Sequence, residues 1–112
     1  MASTIYDITI DAGGDYDVQL LWKDDLNNPI NLTGYSGGMK IKETLGSSTV
    51  IDCSSYITTN GANGTIDISI PASITSTMSF SVGIYDLEVY STLGKTYKLL
   101  RGKVFVNKEV TN

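Results

Sequence analysis

Polar and apolar residues alternate with a period of two along most of this chain. Tyr6, Ile8 and Ile10 alternate with Asp7 and Thr9, and Tyr16, Val18, Leu20 and Trp22 alternate with Asp17, Gln19 and Lys23. Successive side chains of a strand point to opposite faces, so each segment reads as a half-buried strand. The same pattern sets Met39 and Ile41 against Lys40 and Lys42, Ile66, Ile68 and Ile70 against Asp67 and Ser69, and Tyr85, Leu87 and Val89 against Asp86 and Glu88. Shorter extended pieces are expected over 30–32 and 49–53. The last long strand starts with Tyr97 and Leu99 and finishes with Val104 and Val106. Those two pairs differ in parity, so a bulge near Gly102 is expected to keep both sets inward.

Between these segments lie residues that favour turns. They include Asp24-Asp25-Leu26-Asn27-Asn28-Pro29, Gly46-Ser47-Ser48, the Asn60-Gly61 and Asn63-Gly64 dipeptides, and Ser91 to Lys95. Ala72 to Phe80 is the one stretch with room for helix, and its β-branched residues limit that to a single turn. Short strands at roughly ten-residue spacing, with no crossover helices, predict an all-β chain. The expected architecture is a single antiparallel β-sandwich over residues 1–112, immunoglobulin-like or jelly-roll-like, with seven to eight strands. Trp22, the bulkiest side chain, is expected near its centre with the indole N–H hydrogen-bonded.

Charge narrows the partners. The 112 residues carry eight Lys and Arg against twelve Asp and Glu, a net −4. Nucleic-acid binding needs clustered cations to displace counterions from phosphates, and here they are spread singly. Lys95, Lys98, Arg101 and Lys103 form the one loose group. On an unbroken strand Lys98 would face away from Arg101 and Lys103. No apolar run approaches the ~18–20 residues of a membrane-spanning helix, and no charged-then-apolar leader opens the chain. The single cysteine, Cys53, excludes an internal disulfide framework and a multi-cysteine zinc site. The expectation is synthesis in a reducing cytoplasm, with no nucleic-acid partner and no membrane insertion.

Candidate chemistry is sparse. The chain contains no histidine, which removes the commonest general base, nucleophile partner and metal ligand. Asp7, Asp17, Asp67, Asp86 and Glu88 each fall on the polar parity of a strand, where solvated faces account for them. Asp15-Tyr16-Asp17 and Asp24-Asp25 lack the spacing of a calcium loop. Gly94-Lys95-Thr96 resembles the end of a phosphate loop, but the first glycine of that motif would fall on Val89. The sequons at Asn31-Leu32-Thr33 and Asn63-Gly64-Thr65 are ordinary products of a Thr-rich chain. Cys53 reads as a small structural residue. No catalytic residue, cofactor site or metal site is expected, and the chain is not expected to be an enzyme. Seven tyrosines remain, more than a core of this size requires. Tyr35, Tyr56 and Tyr90 lie in or beside turn-rich stretches and are the candidate interface residues, since tyrosine is favoured at contact surfaces.

The order of motifs is familiar. Tyr6-Asp7-Ile8-Thr9-Ile10 leads to Gly14-Asp15-Tyr16 and Leu20-Leu21-Trp22-Lys23-Asp24, then to Asn28-Pro29-Ile30-Asn31-Leu32-Thr33-Gly34-Tyr35. Met39-Lys40-Ile41-Lys42, Gly64-Thr65-Ile66, Tyr85-Asp86-Leu87-Glu88, Arg101-Gly102-Lys103-Val104 and Glu109-Val110-Thr111 follow. This order resembles the small β-sandwich virion proteins of tailed bacteriophages, and is similar to the N-terminal domain of phage upper baseplate proteins. It departs from the family pattern at Lys42, where an arginine is common, and at Ser81-Val82-Gly83, where Pro-Gly or Ala-Gly is favoured. The resemblance implies a non-enzymatic structural component of a virion, present in several copies and bound to other virion proteins. Tail, baseplate or fibre attachment is the first expectation. Capsid decoration and a small carbohydrate-binding module for host surface glycans stay open beside it.

Overall fold

Burial of the alternating residues builds two sheets that face each other. The computed structural model describes residues 4–46 and 50–108. Its strands are β1 (Thr4–Ile5), β2 (Ile8–Asp11), β3 (Tyr16–Leu21), β4 (Ser36–Lys42), β5 (Val50–Asp52), β6 (Ile57–Asn60), β7 (Thr65–Ile70), β8 (Val82–Tyr90) and β9 (Thr96–Asn107). One sheet runs β1-β9-β8-β4-β5, with β2 also on β9, and the other runs β3-β7-β6. With β3, β7 and β6 as strands B, E and D and β9, β8 and β4 as G, F and C, the order is that of an immunoglobulin-type sandwich. The expected all-β sandwich is present. Among the described residues the only α-helix is a single turn, Ala72–Thr75 (α1), as the β-branched stretch predicts. The turn expected at Gly46-Ser47-Ser48 and the closing Glu109-Val110-Thr111 lie wholly or partly outside the described residues.

The inward residues of both sheets meet in one main core. Ile10, Ile41, Ile70, Leu87 and Val104 are fully buried there. Met78, from the irregular stretch after α1, closes it from the side. Thr75 is the buried polar residue, and its hydroxyl is satisfied: it donates to the Gly14 carbonyl (2.8 Å) and accepts from the Gly13 N–H (3.1 Å). Asp15 meanwhile accepts the Ala72 N–H at 2.8 Å, so the β2–β3 loop caps the helical turn from outside.

Trp22 is not at the centre. It lies just past the end of β3, half-buried, where the two sheets open. There it belongs to a smaller cluster around Leu32, Ile66 and Val89. Its ring tilts at 59° against Tyr97, 5.6 Å away, and Tyr35 stacks on Tyr97 at 6.4 Å. The backbone explains the position. Trp22 donates its N–H to Gly64 and accepts from Ile30, so the chain crosses this end of the sandwich tightly. Gly64 has φ 68°, and a Cβ on it would meet the Trp22 carbonyl at 2.8 Å and Ile30 N at 2.9 Å. The centre is filled by β-branched and leucine side chains instead.

The first strand departs from an all-antiparallel arrangement. β1 and β2 both pair parallel to β9, in one continuous register interrupted at Tyr6 and Asp7. The chain reaches β3 in the opposite sheet only through the loop at 12–15, which leaves β1 and β2 on the free edge of β9. At the interruption the backbone bends over Gly102, where a Cβ would lie 2.5 Å from the Tyr6 carbonyl oxygen. Tyr85 donates its hydroxyl to that carbonyl, and the Asp7 carboxylate accepts the Lys103 N–H at 2.8 Å in place of a backbone carbonyl. Gly102 therefore makes room for a kinked neighbour. The bulge expected beside it falls at Leu99 instead: Leu87 pairs with Leu100 but Glu88 with Lys98, so Leu99 has no partner. The expected purpose holds, since Tyr97, Leu99, Val104 and Val106 all pack inward.

Two outcomes follow at the kink. Gly102→Ala should lower stability by about 1–3 kcal/mol, because the Tyr6 carbonyl has to move; an unchanged urea midpoint would show that the bend is soft. Burial first, then the charge of neighbouring groups, raises the Tyr85 phenol well above its ordinary value. The folded state holds this proton more tightly than the unfolded one. Its contribution is therefore complete below about pH 10 and declines as pH rises further. Tyr85→Phe should cost about 1 kcal/mol at neutral pH and flatten the alkaline loss of stability seen in pH-dependent denaturation.

Candidate interaction surface

The unpaired Leu99 redirects the outer face of the six-stranded sheet. After it, parity reverses, so Lys98 points to the same outer face as Arg101 and Lys103 rather than away from them. The β4 residues Lys40 and Lys42 join them through β8. Five of the eight basic residues of an acidic chain thus share one face, which strand parity alone would have split.

Cross-strand registers arrange this face in rows. Across β5, β4, β8 and β9, one row runs Val50, Lys42, Ile84, Lys103. The next runs Asp52, Lys40, Asp86, Arg101, and Ile5 of β1 extends it. Glu88 and Lys98 stand opposite each other in the third row and form an ion pair at 3.1 Å, the only close one among the described residues. The hydrogen bond to Glu88, then its charge, raises the Lys98 ammonium above its ordinary value. Asp52 is held low chiefly by hydrogen bonds from Ser54, whose N–H lies 2.9 Å from its carboxylate. A shallow trough of about 550 Å³ runs along the face, with Ile84, Leu100 and the stems of Lys42 and Arg101 in its lining. Ile5 is 67% exposed beside it, and Val82 and Phe105, paired across β8 and β9, are exposed at one end.

The three candidate tyrosines do not converge. Tyr90 lies on this face, partly exposed, its ring over Gly38 and its hydroxyl donating to Glu88 at 3.0 Å. Burial and then Glu88 raise its phenol. Tyr35 stacks on Tyr97 at the Trp22 end of the sandwich. Tyr56 is half-buried against the main core, in the turn Ser54–Tyr56. What strand periodicity missed is the row of Lys40, Asp86 and Arg101. The one available signal was the parity mismatch in the last strand.

Elsewhere the carboxylates serve as acceptors. On the outer face of the three-stranded sheet, Asp67 accepts from Gln19 (2.9 Å) and Asn60 (2.8 Å), and Asp17 accepts from Ser69 (2.6 Å). Asp24 takes the N–H groups of Leu26 and Asn28, both at 2.9 Å, and closes its own turn. No three His, Cys, Asp or Glu residues come together as a metal site among the described residues, and no described helix is long and apolar enough to cross a membrane. Cys53 is fully buried beneath β4, and desolvation pushes its thiol up to about 11.

No protein-family model matches the chain, and no curated protein matches it. Among solved structures it is similar to a family 123 glycoside hydrolase from Clostridium perfringens, described for its glycolipid glycan hydrolysis. The identity is 12% and the TM-score 0.40. The match covers 96% of this chain and 23% of the hydrolase, so the chain spans about a quarter of that protein's length.

Cys53 supplies a check on the packing around this face. In the folded protein at about pH 8 its thiol should react with a disulfide reagent far more slowly than a free cysteine, and stoichiometrically once denatured. Fast native labelling would mean that β4 and β5 open readily.

Proposed function

We propose that the chain is a non-enzymatic structural module of a tailed-phage virion, stationed at the tail or baseplate, and that it joins other virion proteins through the outer face of the six-stranded sheet. The motif order Pro29-Ile30-Asn31-Leu32-Thr33-Gly34, with Tyr85-Asp86-Leu87-Glu88 and Arg101-Gly102-Lys103-Val104, supports the virion setting. The observation that carries the contact surface is the concentration of exposed apolar residues and both signs of charge on one rigid face. Contact surfaces combine apolar area with complementary charge in this way. Rigid ladders on β4, β8 and β9 hold these side chains in place before any partner arrives, which reduces the ordering cost of association.

The face acts by docking. Ile84 and the exposed Ile5 offer area that a partner removes from water, while Lys42, Arg101 and Lys103 fix its orientation. Quantitative mass spectrometry of separated tails and capsids tests the setting. Recovery with tails, in tens of copies, is the expected result; hundreds of copies on capsids would move the module to capsid decoration, and absence from both would end the virion reading. The face is tested separately with the doubly reversed variant Lys42→Glu, Lys103→Glu. It should fold with a near-native melting temperature and be missing from purified particles.

A further inference from the structure

The central row of this face alternates in sign: Asp52, Lys40, Asp86 and Arg101 stand on β5, β4, β8 and β9 in that order. A partner surface of a single sign would be repelled by half of that row. The complement must alternate too, and a second copy of the chain does so without any further requirement. We infer that this face forms a twofold homodimer, in which Lys40 of each copy meets Asp86 of the other and Asp52 meets Arg101. The inference rests on this face being the contact surface, and it adds what occupies it.

The geometry follows from symmetry. An axis lying in the contact plane, along the strands and between β4 and β8, places β4 over β8 and β5 over β9. Every charge of the central row then faces its opposite. With the axis laid across the strands instead, each strand covers itself and Asp52 would face Asp52. In the favoured arrangement the neighbouring row sets Lys42 over Ile84 and Val50 over Lys103, so lysine stems cover apolar side chains. Two sheets packed with near-aligned strands are an ordinary face-to-face arrangement, and a twofold contact closes on itself.

Analytical ultracentrifugation of the full chain, its Lys40→Asp and Asp86→Lys variants, and an equimolar mixture of the two variants tests this. The native chain should dimerise, less so at high salt. Each variant alone places like charges opposite each other twice and should weaken the dimer by about tenfold or more. Mixed together, the new carboxylate at position 40 faces the new ammonium at position 86, and a heterodimer should recover. A native chain that stays monomeric, variants that dimerise like the native chain, or a mixture that fails to recover would each overturn the inference. Should either variant fail to fold by circular dichroism, Asp52→Lys and Arg101→Asp repeat the design in the outer pair. A monomer that still enters virions removes the dimer and leaves the adaptor reading standing; a dimer absent from virions does the reverse.

Discussion

One unpaired residue, Leu99, governs both what this chain buries and what it displays. Without it, β9 could not turn Tyr97 and Leu99 inward at one end and Val104 and Val106 inward at the other. The same shift carries Lys98 onto the outer face with Arg101 and Lys103. Core and surface are coupled here because strand parity is shared: a side chain can be redirected only by redirecting all that follow it. The charged rows on β4, β8 and β9 are thus a consequence of core packing, and their spacing is as fixed as the ladder beneath them.

A second constraint sets the edge of that sheet. The first strand bends at Tyr6 and Asp7 and crosses Gly102, and three groups make the bend stable: the Tyr85 hydroxyl, the Asp7 carboxylate and the missing side chain of Gly102. A carbonyl turned out of its ladder needs a donor, and Tyr85 supplies one from β8, reaching across Gly102 of β9. β1 and β2 then cover the edge of β9, which would otherwise offer unpaired N–H and C=O groups to any passing strand. The β9 edge is thereby closed to strand addition.

Most of the fold was legible because period two is a strong signal wherever one face is wet and the other dry. β2, β3, β4, β7 and β8 follow their alternation closely, and α1 is the single turn that its β-branched neighbours allow. Three features were not legible. Trp22 has the volume of a core residue, yet the close approach of Gly64 and Ile30 holds it at the mouth of the sandwich. The parallel pairing of β1 and β2 with β9 depends on which sheet edge is free, a property of the whole topology. The bulge was foreseen as a need, but its position was not, because Gly102 looked like a bulge residue and serves instead as clearance for Tyr6. The site suffered from that misplacement: with the bulge near Gly102 rather than at Leu99, the basic residues appear split between faces.

The two outer faces show how the same residue types come to serve different ends. On the three-stranded sheet, Asp17 and Asp67 lie among Gln19, Asn60 and Ser69, and short polar side chains satisfy them within the chain. Such a face has little left to offer a partner. On the six-stranded sheet the neighbours of Asp86 are Lys40 and Arg101, long side chains on adjacent strands, and no close ion pair forms in that row among the described residues. Exposed pairs within one sheet gain little, since ordering two long side chains offsets most of the attraction. Against a facing surface the balance changes: water is displaced, the stems are already confined, and each charge gains a partner approaching from above rather than alongside. The difference between the faces therefore lies in side-chain length and in the basic residues gathered on one of them, where register, set at Leu99, adds Lys98 to Lys40, Lys42, Arg101 and Lys103.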